Sequence, residues 1–231
     1  MYQVFIYCGG KCGGSTLCTT FNKNEYNTIH VHSSITWVSV SQRDQSIYEV
    51  INSSHQQYNQ IFIIDSYRNP IERKISSFFQ NITILLPDYK NMNTLQMIVW
   101  FNSNFLNENE NYHPLNEVLA HYNVPLFTTY DFYNKYNIVT TPDNKTFIKL
   151  RFKDINSWDT ILSRIFDKNI IVHPDNLTAN KDTYELYTQF KKLYKLPKTY
   201  IQNIINDTEF KIYNTPEEQE KYIEYWSSHS Y

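Results

Sequence analysis

Glycine is nearly missing from this chain, with 4 in 231 residues. A backbone so short of residues without a Cβ has few places where φ > 0 is free of strain or where a ligand can approach the main chain closely. Long apolar runs are missing as well. No segment reaches the ~18 uninterrupted residues of a membrane span, and Met1 leads directly into a strand-like stretch with neither the basic run nor the apolar core of a signal peptide. Nor is there an excess of charge: the formal net charge is −2, which gives no reason to expect nucleic acid or a membrane surface as partner. The three cysteines, Cys8, Cys12 and Cys18, are odd in number and crowded together, which argues against a disulfide framework and for a reducing compartment. Their spacing matches no zinc pattern. With no internal repeat and no long linker, the expectation is one cytoplasmic domain over residues 1–231.

What is present is concentrated. All four glycines, Gly9, Gly10, Gly13 and Gly14, lie in the stretch C-G-G-K-C-G-G-S-T-L-C-T-T from Cys8 to Thr20. The preceding Tyr2–Tyr7 (Y-Q-V-F-I-Y) is β-branched and aromatic and reads as a buried strand. Following it, Ser15–Phe21 supplies a hydroxyl-rich turn and then apolar Leu17 and Phe21, as the start of an amphipathic helix does. Strand, glycine-rich turn and helix N-terminus together form a site for anions, because free N–H groups and the helix dipole converge there. The nucleotide-triphosphate loop G-x-x-x-x-G-K-[ST] is not matched, since Lys11 precedes Gly13 and Gly14.

Further along, Thr28–Ser33 (T-I-H-V-H-S) alternates faces and reads as a second strand, with His30 and His32 on one side and Ile29 and Val31 on the other. Asp44–Tyr58 reads as a polar helical crossover. Gln60–Tyr67 is a continuous apolar run of the kind a parallel sheet buries. It ends at Arg68-Asn69-Pro70, where a helix is expected to start and run to about Ile84, burying Ile71, Ile75, Phe78 and Phe79 and exposing Arg73. Helices are expected at Thr94–Leu106, Leu115–Tyr122, Trp158–Phe166, Thr183–Tyr194, Lys198–Ile205 and Pro216–Trp226. A hairpin joins Tyr136–Thr141 to Thr146–Phe152 around Pro142-Asp143-Asn144. Strands alternating with helices in the first half predict an α/β fold of three layers with a mostly parallel sheet and a helical C-terminal part. Ligands in such folds bind at the carboxyl ends of the strands, so Cys8, Ser33 and Arg68 are expected around one crevice.

The order K-x-G-x-[ST]-T-L at Lys11–Leu17 resembles the 5′-phosphosulfate loop of sulfotransferases that use 3′-phosphoadenosine 5′-phosphosulfate (PAPS). R-N-P-x-x-R-x-x-S at Arg68–Ser76 resembles their 3′-phosphate motif. The run from Lys195 to Trp226 is similar to the tail of the capsular-polysaccharide-synthesis branch of the sulfotransferase-like proteins. The resemblance covers most of the chain and is loosest in the middle third. It implies the P-loop-like sulfotransferase fold, PAPS as donor, and a hydroxyl of a carbohydrate or glycoconjugate as acceptor. It also implies that Arg68 and Ser76 grip the 3′-phosphate. One departure is Gly14, which stands where many family members carry Ser or Thr.

Sulfuryl transfer needs a base at the acceptor hydroxyl, positive charge at the departing phosphate and fixed donors around the sulfonate. Lys11 is the candidate for the leaving group. The main-chain N–H groups of Cys12, Gly13, Gly14, Ser15 and Thr16, with the hydroxyls of Ser15 and Thr16, are candidates for holding the donor. His32 is the candidate base, with His30 as its rival and Glu25 a further alternative. No metal is required by this scheme. The polar loop Asn176–Lys181 is a candidate for covering the nucleotide or acceptor. Two other readings stand beside this one: a Mg²⁺-dependent phosphotransferase using Asp65, and a non-catalytic nucleotide- or glycan-binding protein.

Overall fold

The computed structural model describes residues 2–41, 44–106, 113–175 and 182–230. The loop Asn176–Lys181 lies outside the described residues. In chain order the elements are β1 (Tyr2–Tyr7), α1 (Gly14–Lys23), β2 (Asn27–Val31), α2 (Ser34–Ser41), α3 (Ile47–Ser54), β3 (Gln60–Tyr67), α4 (Pro70–Gln80), α5 (Ile82–Leu85), α6 (Thr94–Asn104) and α7 (Pro114–His121). They continue with β4 (Asn137–Thr140), β5 (Lys145–Arg151), α8 (Trp158–Phe166), α9 (Tyr184–Leu193), α10 (Lys198–Asn206), α11 (Thr208–Tyr213) and α12 (Pro216–Ser228). Two compact units result. One comprises residues 1–68 and 112–176, the other 69–111 and 177–231.

The first unit is α/β. Its five strands lie in the order β2-β1-β3-β5-β4, with β2, β1, β3 and β5 parallel and β4 antiparallel on the outside of β5. Side chains alternate between two apolar layers, which is why β1 and β3 read as continuous hydrophobic runs. Val4 and Ile6 of β1, Phe62 and Ile64 of β3, and Ile148 and Leu150 of β5 pack with Leu17 and Phe21 of α1 and with Trp158 and Leu162 of α8. On the other face Phe5, Tyr7, Ile61, Ile63 and Phe147 pack with Ile47 and Ile51 of α3 and Leu115 and Val118 of α7. The chain places β2 on one side of β1 and β3 on the other, so a crevice is expected at the carboxyl ends of β1 and β3, where the winding reverses.

The second unit is helical in its described residues, with an aromatic core. Phe78 of α4 contacts the rings of Trp100, Phe101 and Phe105 of the α6 region and Phe190 of α9. Ile71, Ile75, Phe78 and Phe79 form the buried stripe expected of α4. This core absorbs much of the aromatic surplus. No helix among the described residues is long and apolar enough to cross a membrane.

Several elements differ from the sequence reading. The helix expected to reach Ile84 stops at Gln80, and Asn81 separates it from the short α5. Arg73, expected on the exposed face, is partly buried. The crossover read at Asp44–Tyr58 holds α3, and a second helix, α2, precedes it. α3 begins at a capping box in which Ser46 accepts from Glu49 N–H and the Glu49 carboxylate accepts from Ser46 N–H. α2 (S-I-T-W-V-S-V-S) mixes four hydroxyl with four apolar residues and carries no amphipathic stripe to read. Its start is instead capped by Ser33, whose hydroxyl accepts from Thr36 N–H at 2.9 Å. The short α11 is capped by Asp207 in the same way.

Candidate functional site

β1 ends at Tyr7, and the chain turns through Cys8–Gly13 into α1. The turn is held by Cys12 N–H donating to the Gly9 carbonyl, and Lys11 and Gly13 both take positive φ, 67° and 92°. At Gly13 an added Cβ meets Trp158 Cη2 at 2.7 Å and Phe152 Cδ2 at 3.0 Å, so both the torsion and the space demand glycine. Gly13→Ala is therefore expected to cost about 2 kcal/mol or more, from left-handed strain plus overpacking. Chemical denaturation of the full chain measures that loss.

The other glycines have different reasons. Gly14 has no unusual torsion, but a Cβ there falls 2.5 Å from His30 Nε2, so the first residue of α1 is pressed against the imidazole. A serine or threonine at this position collides with His30, which accounts for the departure from the resembled loop. Around Gly10 nothing lies within 4 Å of a Cβ, and the residue is exposed, leaving its main chain open to solvent.

α1 starts without a side-chain cap and without an acidic residue in its first turn. Its leading N–H groups are thus available to an acceptor from outside the chain. Ser15 is half-exposed there. Thr16 is differently placed: its hydroxyl donates to the Asp175 carbonyl at 3.3 Å and accepts from Asp175 N–H at 3.2 Å, tying the 170–175 segment along α1. Thr19 and Thr20 extend the same tie, to the Asp175 carboxylate and to His173 N–H. The side chain of Thr16 is committed to this strap.

Arg68 follows β3 directly. Its Nη1 donates to the Lys11 carbonyl at 2.8 Å, and the guanidinium lies over the Phe152 ring with Cζ 4.5 Å from the centroid. Phe152 is delivered by β5, because the register Tyr67↔Arg151 carries the two strand ends to the same level. Lys11 is half-buried in the turn. Ser76 lies on α4, buried among the helices of the other unit.

His30 and His32 face each other across β2's end, with ring centroids 4.6 Å apart. His32 is exposed, and its Nδ1 lies 2.9 Å from the Cys8 carbonyl. A carbonyl only accepts, so Nδ1 carries the proton, and Nε2 of the neutral ring keeps its lone pair. His30 is half-buried, its Nε2 has no partner, and burial followed by the charge of His32 lowers its pKa to about 4. His30 is thus neutral near pH 7. Because its folded pKa lies below the unfolded value, the native state binds fewer protons than the unfolded one between pH ~6.5 and about 4, so His30 costs stability as pH falls through that window. His30→Gln is expected to flatten the stability-against-pH curve there, measured by urea titration at each pH.

Beneath the turn, Asp65 of β3 pairs with Lys149 of β5 at 2.7 Å, and both are buried. Its other oxygen accepts from Ser66 N–H. Cys8 is fully buried above this pair. A hydrogen bond with Cys12, then burial, then the Asp65 charge push its thiol up, so it remains protonated rather than nucleophilic. Glu25 stands in the turn after α1, at the end of that helix opposite the loop, about 15 Å along its axis.

Comparison with known proteins finds nothing similar: no family model, curated protein or solved structure matches this chain. The site rests on its own geometry. That geometry brings together Lys11, the Cys12–Ser15 main chain, His30, His32 and Arg68 at the carboxyl ends of β2, β1 and β3. Three residues escaped the sequence reading of the site. Phe152 underlies Arg68 and walls Gly13, and Trp158 completes the wall while donating its Nε1–H to the Arg151 carbonyl. The available signal for Phe152 was its place as the last residue of the strand read at Thr146–Phe152. Glu117, which accepts from Tyr48 at 2.7 Å and Tyr7 at 3.3 Å beside the end of β1, carried none.

Proposed function

We propose that this chain is a PAPS-dependent sulfotransferase acting on a hydroxyl of a carbohydrate or glycoconjugate, built on a P-loop-like α/β framework. One observation carries the reading: Arg68, the arginine of the second motif, reaches the Lys11 carbonyl of the first motif at 2.8 Å. Two stretches chosen from sequence as anion grips thereby meet at the switch between β1 and β3.

PAPS supplies an activated sulfuryl group. The uncapped N-terminus of α1, the open main chain at Gly10 and the unpartnered His30 Nε2 suit a polyanion with several acceptor oxygens. In this scheme the N–H groups of Gly13, Gly14 and Ser15 and the Ser15 hydroxyl hold the donor, the Cys12 N–H being given to the Gly9 carbonyl, and Lys11 offsets charge on the departing phosphate. Arg68 holds a phosphate through the donors it does not give to Lys11. Ser76 enters on the sequence motif alone. Thr16 contributes its N–H and not its hydroxyl, which is tied to Asp175. His32 accepts the acceptor's proton at Nε2, while the Cys8 carbonyl fixes its tautomer. His30 serves as a neutral neighbour that donates or accepts one hydrogen bond.

The Mg²⁺-dependent phosphotransferase loses its acidic ligand in this arrangement, because Asp65 is bound to Lys149 within the sheet. Incubation with sulfur-35-labelled PAPS and a panel of neutral and acidic oligosaccharides, without divalent metal, tests the proposal. Label transferred to a glycan is the expected result. Transfer of phosphate from ATP in the presence of Mg²⁺, with no sulfuryl transfer, overturns it.

A further inference from the structure

A second recess lies on the outer side of the sheet, between the segment after α7 and the edge strand β4. It has a volume of about 560 Å³ and is lined by residues 125–131, 134 and 136–139. That size accommodates a small ligand. Its walls combine aromatic rings, Phe127 and Tyr136, with exposed hydroxyls on Thr128 and Thr129. No hydrogen bond within the described residues engages the hydroxyl of Thr128, Thr129 or Tyr136.

The floor carries one fixed charge. Asp131 Oδ1 accepts from Tyr133 N–H at 3.0 Å and Asn134 N–H at 2.9 Å, while Oδ2 accepts from Asn134 Nδ2 at 2.7 Å. These bonds, those from Asn134 first, hold its carboxyl below the usual range, so it is an acceptor at any neutral pH. No cation lines the recess. The nearby Arg151 is paired with Asp154 through two bonds, and Arg164 gives a donor to Asn134. A lone oriented carboxylate, several hydroxyls and three rings, Phe127, Tyr130 and Tyr136, disfavour an anion and match the hydroxyls and C–H faces of an uncharged sugar.

We infer that this recess is a binding subsite for a neutral saccharide. The inference stands on the recess itself; that the saccharide is the sulfuryl acceptor rests on the function proposed above. β4 begins at Asn137, opposite Lys149, two residues before β5 ends at Arg151 level with Tyr67. The segment entering β4 therefore lies at the same end of the sheet as Lys11, His32 and Arg68. Three strand spacings, about 15 Å, separate β4 from β1. His32 follows β2, one spacing further on, so only an acceptor several sugars long spans from the recess to His32, and the subsite selects polymeric over single-sugar acceptors.

Calorimetry and saturation-transfer NMR on the full chain test this with the neutral hexasaccharides of glucose, N-acetylglucosamine and mannose, and with a heparosan hexasaccharide as the anionic counterpart. Binding of at least one neutral hexasaccharide is expected, weakened about fivefold or more by the double substitution Thr128→Ala with Thr129→Ala and by Tyr136→Phe. Neither change alters a side chain of the core strands. His32→Ala and Arg68→Ala should leave that affinity intact, so retained sugar binding in a chain that never transfers sulfuryl groups would overturn the enzyme reading and keep the subsite. The inference is overturned if no neutral hexasaccharide binds, if heparosan is preferred, or if affinity ignores the threonine and tyrosine substitutions.

Discussion

Replacing His32 by alanine is expected to lower sulfuryl transfer by about 10²–10⁴-fold, the loss that follows removal of a positioned general base. Nucleotide affinity should change by no more than about twofold, since the side chain acts on the acceptor's proton. The expectation follows from the hydrogen bond between His32 Nδ1 and the Cys8 carbonyl, which leaves Nε2 exposed as the basic atom beside the loop. His30→Ala separates the two histidines. His30 is neutral near pH 7 and pressed against Gly14, so its removal should alter the helix start and donor affinity more than the proton transfer. Steady-state kinetics on both variants decides between them, and unchanged turnover in His32→Ala removes that residue as base.

Arg68→Ala is expected to weaken adenosine 3′,5′-bisphosphate binding by about 2 kcal/mol, roughly 30-fold, as loss of a charge-assisted phosphate contact does. Arg68→Lys should recover little of it. The guanidinium lies over the Phe152 ring and gives one donor to the Lys11 carbonyl, and an ammonium cannot do both while facing a phosphate. Because Arg68 also fastens the turn, thermal melting of the variant must accompany the titration. A loss of affinity with an unchanged melting temperature assigns the effect to the ligand.

The parts of this fold that are visible in the sequence are those whose signal is local. β3 is a run of eight residues with seven buried, and α8 and α12 begin and end near their predicted limits, because burial or capping there is written in consecutive residues. α2 mixes hydroxyl and apolar residues and has no helical period to detect. The glycine-rich turn is legible as an anion site, but the reason for each glycine is not. Gly14 is constrained by His30, sixteen residues away, through the register that sets His30 beside Ile6. Gly13 is constrained by Phe152 and Trp158, which only the β3–β5 pairing brings near. Thr16 reads as a donor ligand from its position at a helix start, whereas the strap ending at Asp175 takes its hydroxyl. Such contacts depend on strand order and register, which local pattern does not encode.

Calorimetric titration of the full chain with adenosine 3′,5′-bisphosphate, in buffer containing EDTA, bears most directly on the anion site formed by the turn after β1 and by Arg68. Micromolar-range affinity is predicted without divalent metal, with adenosine 5′-monophosphate weaker by at least ~10-fold for want of the 3′-phosphate. No measurable binding of the bisphosphate, or an equal affinity for the two nucleotides, would contradict the account.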